Sequence, residues 1–192
     1  MPENTIPVPY PIDKGLIGYR VAMATKGRGA EIAGIDSLDK LRHFIVGRGT
    51  GWGDVRIFMH NGVAMETAAK YESLFKMLAG GRFDLFPRGV IEAPQELVML
   101  HDVYPDLVIA DKLLIKYRYA QFFYVSKSQP RLAARIKAGL EKMIADGSLD
   151  RLFDKHFGKT IAELNLDQRT AITLDNPFLP AWVPLDRKEL WF

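Results

Sequence analysis

Short alternating runs and stretches with apolar residues three or four apart succeed one another along most of the chain. Ile17, Tyr19, Val21 and Met23 alternate within residues 16–25, which predicts a strand closed by the Lys26-Gly27-Arg28-Gly29 turn. Asp36-Ser37-Leu38-Asp39-Lys40-Leu41 supplies an N-cap and one or two helical turns, and residues 44–46 form the next strand. A helix over residues 53–60 follows, closed by Asn61-Gly62, a pair suited to a left-handed C-cap. After a short apolar run at 63–67, Tyr71, Leu74, Phe75 and Leu78 recur at i, i+3, i+4 and i+7, making one helix face that ends at Gly80-Gly81. Residues 83–86 predict a strand. Residues 90–103 predict a helix with Val90, Ile91, Leu97, Val98 and Leu100 inward and Pro94 in its first turn. Residues 107–110 and 117–125 are strand-like, the second run rich in aromatics.

Strand and helix in alternation predict an α/β fold with a mainly parallel sheet covered on both faces. The two ends of the chain differ from this pattern. Residues 1–15 hold four prolines and no periodicity, which predicts an extended arm. From Pro130, Leu132, Ile136, Leu140 and Met143 line one helix face up to Asp146-Gly147, and Leu149, Leu152, Phe153 and Phe157 line a second up to Gly158. No strand lies between these helices or clearly follows them. Each such side chain left wet forgoes ~1.5–3 kcal/mol, so the faces are expected to self-associate or to be covered by the arm and tail. The tail, residues 174–192, sets Phe178, Trp182, Trp191 and Phe192 among Pro177, Pro180 and Pro184 and reads as an irregular strap over another surface.

Composition narrows the function. The 192 residues carry 26 basic and 23 acidic side chains, a net charge of +3 spread over both halves, too balanced for a nucleic-acid or membrane-surface binder. With no cysteine, disulfides and thiolate metal sites are excluded. No apolar run approaches a membrane span, and Met1-Pro2-Glu3-Asn4-Thr5 lacks the basic-then-apolar order of a signal peptide.

The densest chemistry lies in Phe44-Ile45-Val46-Gly47-Arg48-Gly49-Thr50-Gly51-Trp52-Gly53-Asp54, where an apolar run breaks into four glycines in seven residues. Glycines let the backbone approach a ligand, and a helix start capped by Thr50 would present free N–H groups to an anion. A plain strand-to-helix turn is the competing reading. The stretch is neither a dinucleotide fingerprint, since Trp52 and Asp54 stand where a third glycine is needed, nor a phosphate loop, since no Gly-Lys-Ser/Thr follows. Catalytic patterns are absent. His43, His60, His101 and His156 are never three or four apart, and the five serines fall in no Gly-x-Ser-x-Gly. Asp84 and Asp54 form a conceivable acid–base pair, but a strand aspartate satisfied by backbone donors is the simpler reading of Asp84. The expectation is a chain with no catalytic residues, no metal and no cofactor.

Ser37-Leu38-Asp39-Lys40-Leu41, then Val46 with Gly49-Thr50-Gly51, then Leu78-Ala79-Gly80-Gly81-Arg82-Phe83-Asp84-Leu85, then Leu140-Glu141-Lys142-Met143-Ile144-Ala145-Asp146-Gly147-Ser148-Leu149 with Phe157-Gly158 resemble, in this order, the extracellular solute-binding proteins of amino-acid ABC transporters, family 3. The resemblance implies a periplasmic-binding-protein-like fold of type II, in which two α/β lobes close on a small solute and the chain crosses between them twice. It covers residues 16–158. It implies an arm at 1–15, a complete second lobe at 16–118 and, at 119–192, C-terminal helices and a tail of an incomplete first lobe. The sheet of lobe one has no counterpart. Tyr19 and Tyr117 would flank the crossings as hinges.

Carried over residue by residue, Thr50 and Gly51 match the family's carboxylate-binding corner, with Trp52 and Asp54 at its rim. Where the family usually places an ammonium-binding aspartate, this chain reads Gly89 with Arg88 beside it, and Glu92 one turn on. A guanidinium suits a carboxylate or phosphate, so an anionic group on the solute is expected. The competing reading of Arg88 is a surface arginine paired with Glu92 at i+4. The resemblance implies a non-enzymatic solute-binding protein, periplasmic or extracellular, with an ABC-transporter permease as partner. A sensing domain of a signalling receptor, or a non-binding oligomeric protein associating through its C-terminal helices, is the alternative.

Overall fold

The computed structural model describes residues 3–192; Met1 and Pro2, the start of the expected arm, lie outside the described residues. The chain opens with β1 (Thr5–Pro7), a 3-10 turn at Leu16–Gly18 and β2 (Tyr19–Thr25). Next come α1 (Gly29–Ala33), α2 (Leu38–Leu41), β3 (Val46–Gly49), α3 (Val55–His60), β4 (Met65–Ala68) and α4 (Tyr71–Ala79). They lead to β5 (Phe86–Gly89), α5 (Ala93–Leu100), β6 (Leu107–Lys116) and β7 (Tyr124–Ser126). α6 (Pro130–Ala145), α7 (Ser148–Phe153), α8 (Lys159–Glu163) and β8 (Thr170–Thr173) complete the order. Local chemistry sets several boundaries: the Ser37 hydroxyl accepts from the Lys40 N–H at 3.3 Å and starts α2, and Pro94 stands in the first turn of α5, where no N–H is missed.

The main sheet runs β5-β2-β6-β8, and β3 pairs with β4 alongside it. A parallel bridge between Val46 and Leu85, with Gly47 N–H donating to Leu85 at 2.9 Å and Asp84 N–H to Ile45 at 2.8 Å, joins the two sets. The strands then read β4-β3-β5-β2-β6-β8. β3 is parallel to β4, β6 is parallel to β8, and β2 is antiparallel to both β5 and β6. The expected mainly parallel sheet is therefore present with one reversed strand, β2. Hydrophobic periodicity fixes which face a residue takes, not the direction in which its strand runs.

Both faces are covered. Along β2, Ala22 and Ala24 pack with Ile32, Leu41, Ile57 and Phe58, while Val21 and Met23 pack with Leu74, Phe75, Leu78 and Phe86. A third cluster gathers Val8 and Tyr10 of the arm, Val125 of β7, Ala133 and Leu140 of α6, and Val183, Leu190 and Trp191 of the tail. Arm and tail thus cover Ile136 and Leu140 of the α6 face, while Leu132 at its start stays 46% exposed. β1 and β7 pair antiparallel beneath them.

Four expectations are corrected. The strand placed at 83–86 is β5, Phe86–Gly89, because Pro87 and Arg88 continue it: Arg88 is neutralised by a buried partner rather than driven to the surface. The run 107–110 extends to Lys116 across the exposed pair Asp111-Lys112, where β2 skips register, and 117–123 is not a strand. β8 does follow the C-terminal helices and adds to the sheet edge, although its four residues are too short to leave a pattern. Val98 is 78% exposed rather than inward, because Glu96 faces in to meet Arg88 and turns α5 accordingly.

Candidate functional site

The glycine corner folds more tightly than expected. Gly49 leaves room for the Trp52 ring, which a β-carbon there would overlap. Thr50 caps no helix: its N–H donates to Ala68 at 3.0 Å, and the helix begins four residues later with Asp54 in the N-cap position. α3 has six residues, and the Asp54 side chain turns away from it into the protein. Thr50 and Gly51 are exposed at the rim and do not line the neighbouring cleft; Gly53 does. The Gly53 N–H has no acceptor among the described residues. The exposed Gly51 N–H likewise has no acceptor among the described residues, so one backbone donor remains at the expected corner and another, at Gly53, lines the cleft.

Asp54, the competitor for an acid–base role, is the hub of an ion network. Its Oδ2 accepts from Arg20 Nη2 at 3.0 Å, from the Tyr117 hydroxyl at 2.6 Å and from Arg48 Nη2. Arg48 is fully buried on β3, donates Nη1 to the Pro87 carbonyl at 2.6 Å, and lies against the rings of Phe58 and Trp52. Burial pushes its guanidinium down to about 9, still cationic at neutral pH. Arg20 completes its fork with Nε on the Tyr117 hydroxyl at 2.7 Å and Nη1 on Glu92 Oε2 at 3.1 Å. Asp84 is elsewhere, its carboxylate accepting from Ile45 N–H at 2.6 Å and pairing with Arg28 at 3.0 Å, as a strand aspartate satisfied by backbone.

Arg88 pairs with Glu92 as one reading has it, but it is buried and not a surface arginine. Glu92 at i+4 lies 3.2 Å from Nη2, and Glu96, itself buried, takes Nε at 2.8 Å and Nη2 at 2.5 Å. Burial alone would lower its pKa; the Glu96 hydrogen bond and the charges of Glu92 and Glu96 outweigh that and hold it above the ordinary value. The Arg88 guanidinium stacks near Trp52 at 5.0 Å and Tyr71 at 5.5 Å. Tyr71 donates to Glu96 at 2.5 Å; burial first, then that bond and the Glu96 charge, raise its hydroxyl pKa. Arg88 Nη1 has no partner among the described residues. Gly89 N–H donates to Glu92 Oε2 at 2.9 Å, so Gly89 positions Glu92 and offers no donor of its own.

These residues wall an open cleft of about 350 Å³ that brings together Trp52, Asp54, Arg88 and Glu92 from the sequence reading with Arg20, Tyr71, Tyr119 and Gln121, which it missed. Arg20 and Arg88 face Asp54 and Glu92 in the lining, with the buried Arg48 and Glu96 behind them, so the wall is neutral in sum. Asp54 Oδ1 and Arg48 Nε remain buried without a partner. A charged residue set between glycines in a buried strand was the available signal for Arg48. Glu96, one turn past Glu92, was the signal for the second partner of Arg88. Tyr19 and Tyr117 sit side by side in the fold: Tyr117 N–H donates to Gly18 at 3.1 Å and Tyr19 pairs with Lys116. Among the described residues no group of histidines and carboxylates is placed to hold a metal, and no helix is long and apolar enough to cross a membrane.

Against known proteins, no family model matches the chain, and no curated protein matches it. Solved structures do. An ancestral arginine-binding protein bound to arginine superposes with a TM-score of 0.50 at 21% identity, over 75% of this chain and 62% of that one. A periplasmic His/Glu/Gln/Arg/opine family-binding protein from Silicibacter pomeroyi in complex with lysine gives 0.51 at 16% identity, over 81% and 63%. An arginine third transport system periplasmic binding protein from Legionella pneumophila gives 0.53 at 15% identity, over 81% and 66%. The chain has the fold of these periplasmic binding proteins and spans less than two thirds of their length.

Proposed function

We propose that the chain binds a small polar solute, without converting it, in the cleft between Trp52, Arg88 and Glu92, as part of a periplasmic or extracellular solute-binding protein that serves an ABC-type permease. The observation that carries this is a preorganised wall: Arg20 and Arg88, fixed by Asp54, Glu92 and the buried Glu96, beside Trp52, Tyr71 and Tyr119, with Arg88 Nη1 and Gly53 N–H left as donors. Those two donors suit an anionic group on the solute, and Thr50 and Gly51 form the rim over which it enters. The neutral sum of the wall matches a solute that is not a multiple anion. On this reading residues 16–118 are the second lobe, residues 119–192 belong with the first, and Tyr19 and Tyr117 are the hinges. Because one wall supplies the contacts, affinity is weak.

A calorimetric and thermal-shift screen of amino acids, dicarboxylates and phosphorylated metabolites tests the proposal. A saturable response to at least one class, weakened at least ~10-fold by Arg88→Met through loss of a charge-assisted bond, supports it. A flat screen, or a binder indifferent to Arg88→Met and to Trp52→Phe, refutes it.

A further inference from the structure

A second and larger cleft, about 560 Å³, lies on the other side of Tyr119 and Gln121, between α3, the segment after Tyr117 and the tail. The network around Asp54 does not reach it. Five aromatic side chains, Tyr119, Phe122, Tyr124, Phe178 and Trp182, stand in its lining among aliphatic ones such as Ile57, Leu179 and Val183. Phe122 and Trp182 meet edge to face at 4.9 Å and 81°. The one charged side chain in the lining is Arg56, and no aspartate or glutamate stands there.

Arg56 is unlike the arginines of the first cleft. It has no carboxylate partner among the described residues; its guanidinium lies over the Phe178 ring at 4.7 Å, with a single 3.5 Å bond from Nη2 to the Phe178 carbonyl. The Tyr119 hydroxyl and the Gln121 side-chain amide are likewise without partners among the described residues, and Trp182 Nε1 is a buried donor with no acceptor. Arg56 and Gln121 are solvent-exposed, so the cleft offers a ligand a hydrated guanidinium with no counter-charge, beside walls that suit a flat apolar body.

We infer that this cleft is a binding site for a small planar aromatic carboxylate. One guanidinium balances one carboxylate, in the bidentate geometry that suits it, whereas a phosphate dianion would be left half compensated. The ring of the ligand packs against Phe122 and Trp182, and an aliphatic acid of equal size forgoes the ring–ring geometry. The charge and ring contacts of this site, Arg56, Phe122, Phe178 and Trp182, are not those of the solute-binding proposal, although Gly53, Tyr119 and Gln121 line both clefts.

The three tryptophans report separately, because Trp182 lines this cleft, Trp52 lines the first, and Trp191 is bonded through Nε1 to the Pro184 carbonyl at 2.9 Å. Benzoate and indole-3-carboxylate are titrated into the ¹⁵N-labelled full chain, with benzyl alcohol and cyclohexanecarboxylate as controls and Trp182→Phe to assign the indole signals. The expected result is a saturable shift of the Trp182 indole N–H with the Trp52 signal still. Benzyl alcohol and cyclohexanecarboxylate bind more weakly, and Arg56→Gln lowers benzoate affinity about tenfold or more, the loss of one charge-assisted bond. Movement of the Trp52 signal instead, benzyl alcohol binding as well as benzoate, or Arg56→Gln binding as tightly as the parent would each overturn the inference. Arg56→Lys guards against a folding artefact: it keeps the charge and recovers part of the affinity if the inference holds, and none if it does not.

Discussion

Replacing Asp54 by asparagine tests whether the buried network is what holds the first cleft in shape. The carboxylate accepts from Arg20, Arg48 and Tyr117, and Arg48 is completely buried, so the variant strands one cation without water or counter-charge. Removing one member of a buried pair costs about 3–5 kcal/mol; an amide oxygen still accepts one of the three donors, which puts Asp54→Asn near the lower end, ~3 kcal/mol. That is a large share of the ~5–15 kcal/mol that holds a typical domain folded. With a urea m-value of ~2 kcal/mol/M, the midpoint should fall by about 1.5 M. Adding Arg48→Met removes the stranded charge while keeping a side chain of similar length between Trp52 and Phe58, and should recover about 1 kcal/mol or more. Urea melts of the parent, the single variant and the double variant read all three values. If Asp54→Asn lies within the ~0.5 kcal/mol typical of surface changes, or the double variant is less stable than the single one, the charge argument is wrong.

Three further outcomes follow from the packing and the titration. Gly49→Ala drives a β-carbon into the Trp52 ring and should cost about 1–3 kcal/mol, with a changed tryptophan emission spectrum; unchanged emission and stability would show that the ring has room to move. Trp191→Ala empties the space against Gly15 in the arm–tail cluster and should cost about 3–5 kcal/mol, with protease cleavage of the tail appearing at native conditions; a tail equally resistant after the change would count against the strap. Asp13 is buried, and burial lifts its carboxyl above the ordinary 3.8 despite hydrogen bonds from the Gly15, Ile17 and Gln121 N–H groups, so the folded state holds that proton more tightly than the unfolded chain. Its contribution is therefore largest in acid and is lost as pH rises from 3.8 through the folded pKa, and Asp13→Asn should flatten that part of the pH–stability curve; identical curves for variant and parent would sink the assignment.

How far the fold could be read in advance depended on whether burial left a periodic trace. α4 did, because Leu74, Phe75 and Leu78 face one core while Glu72 and Lys76 are turned to solvent, and the Asn61-Gly62 pair ended α3 where Gly62 adopts φ 71°. β8 did not, since four residues with only Ile172 buried have no period to detect. The course of 117–123 was misread for the opposite reason. Its aromatics are those of a strand, but they serve the cleft walls, with single bonds such as Ile12 N–H to Gln121 at 3.0 Å in place of a ladder.

The site was legible as a place and not as a charge balance. Trp52, Asp54, Arg88 and Glu92 were all singled out, and all line one cleft. The residues alone left Arg88 either attracting anions or paired with Glu92; what the fold adds is Glu96, eight positions along the chain, which engages Arg88 through two of its nitrogens, and Arg20, thirty-four positions before Asp54, which engages that carboxylate. Ion pairing at such separations depends on how strands β2 and β5 are laid side by side, with Val21 opposite Arg88, and no local pattern encodes it. Once the pairs form, the wall keeps its polar surface while losing its net charge. On the solute-binding proposal, selectivity for charge would then rest with donors that pairing leaves over, such as Arg88 Nη1 and the Gly53 N–H, rather than with the number of arginines present.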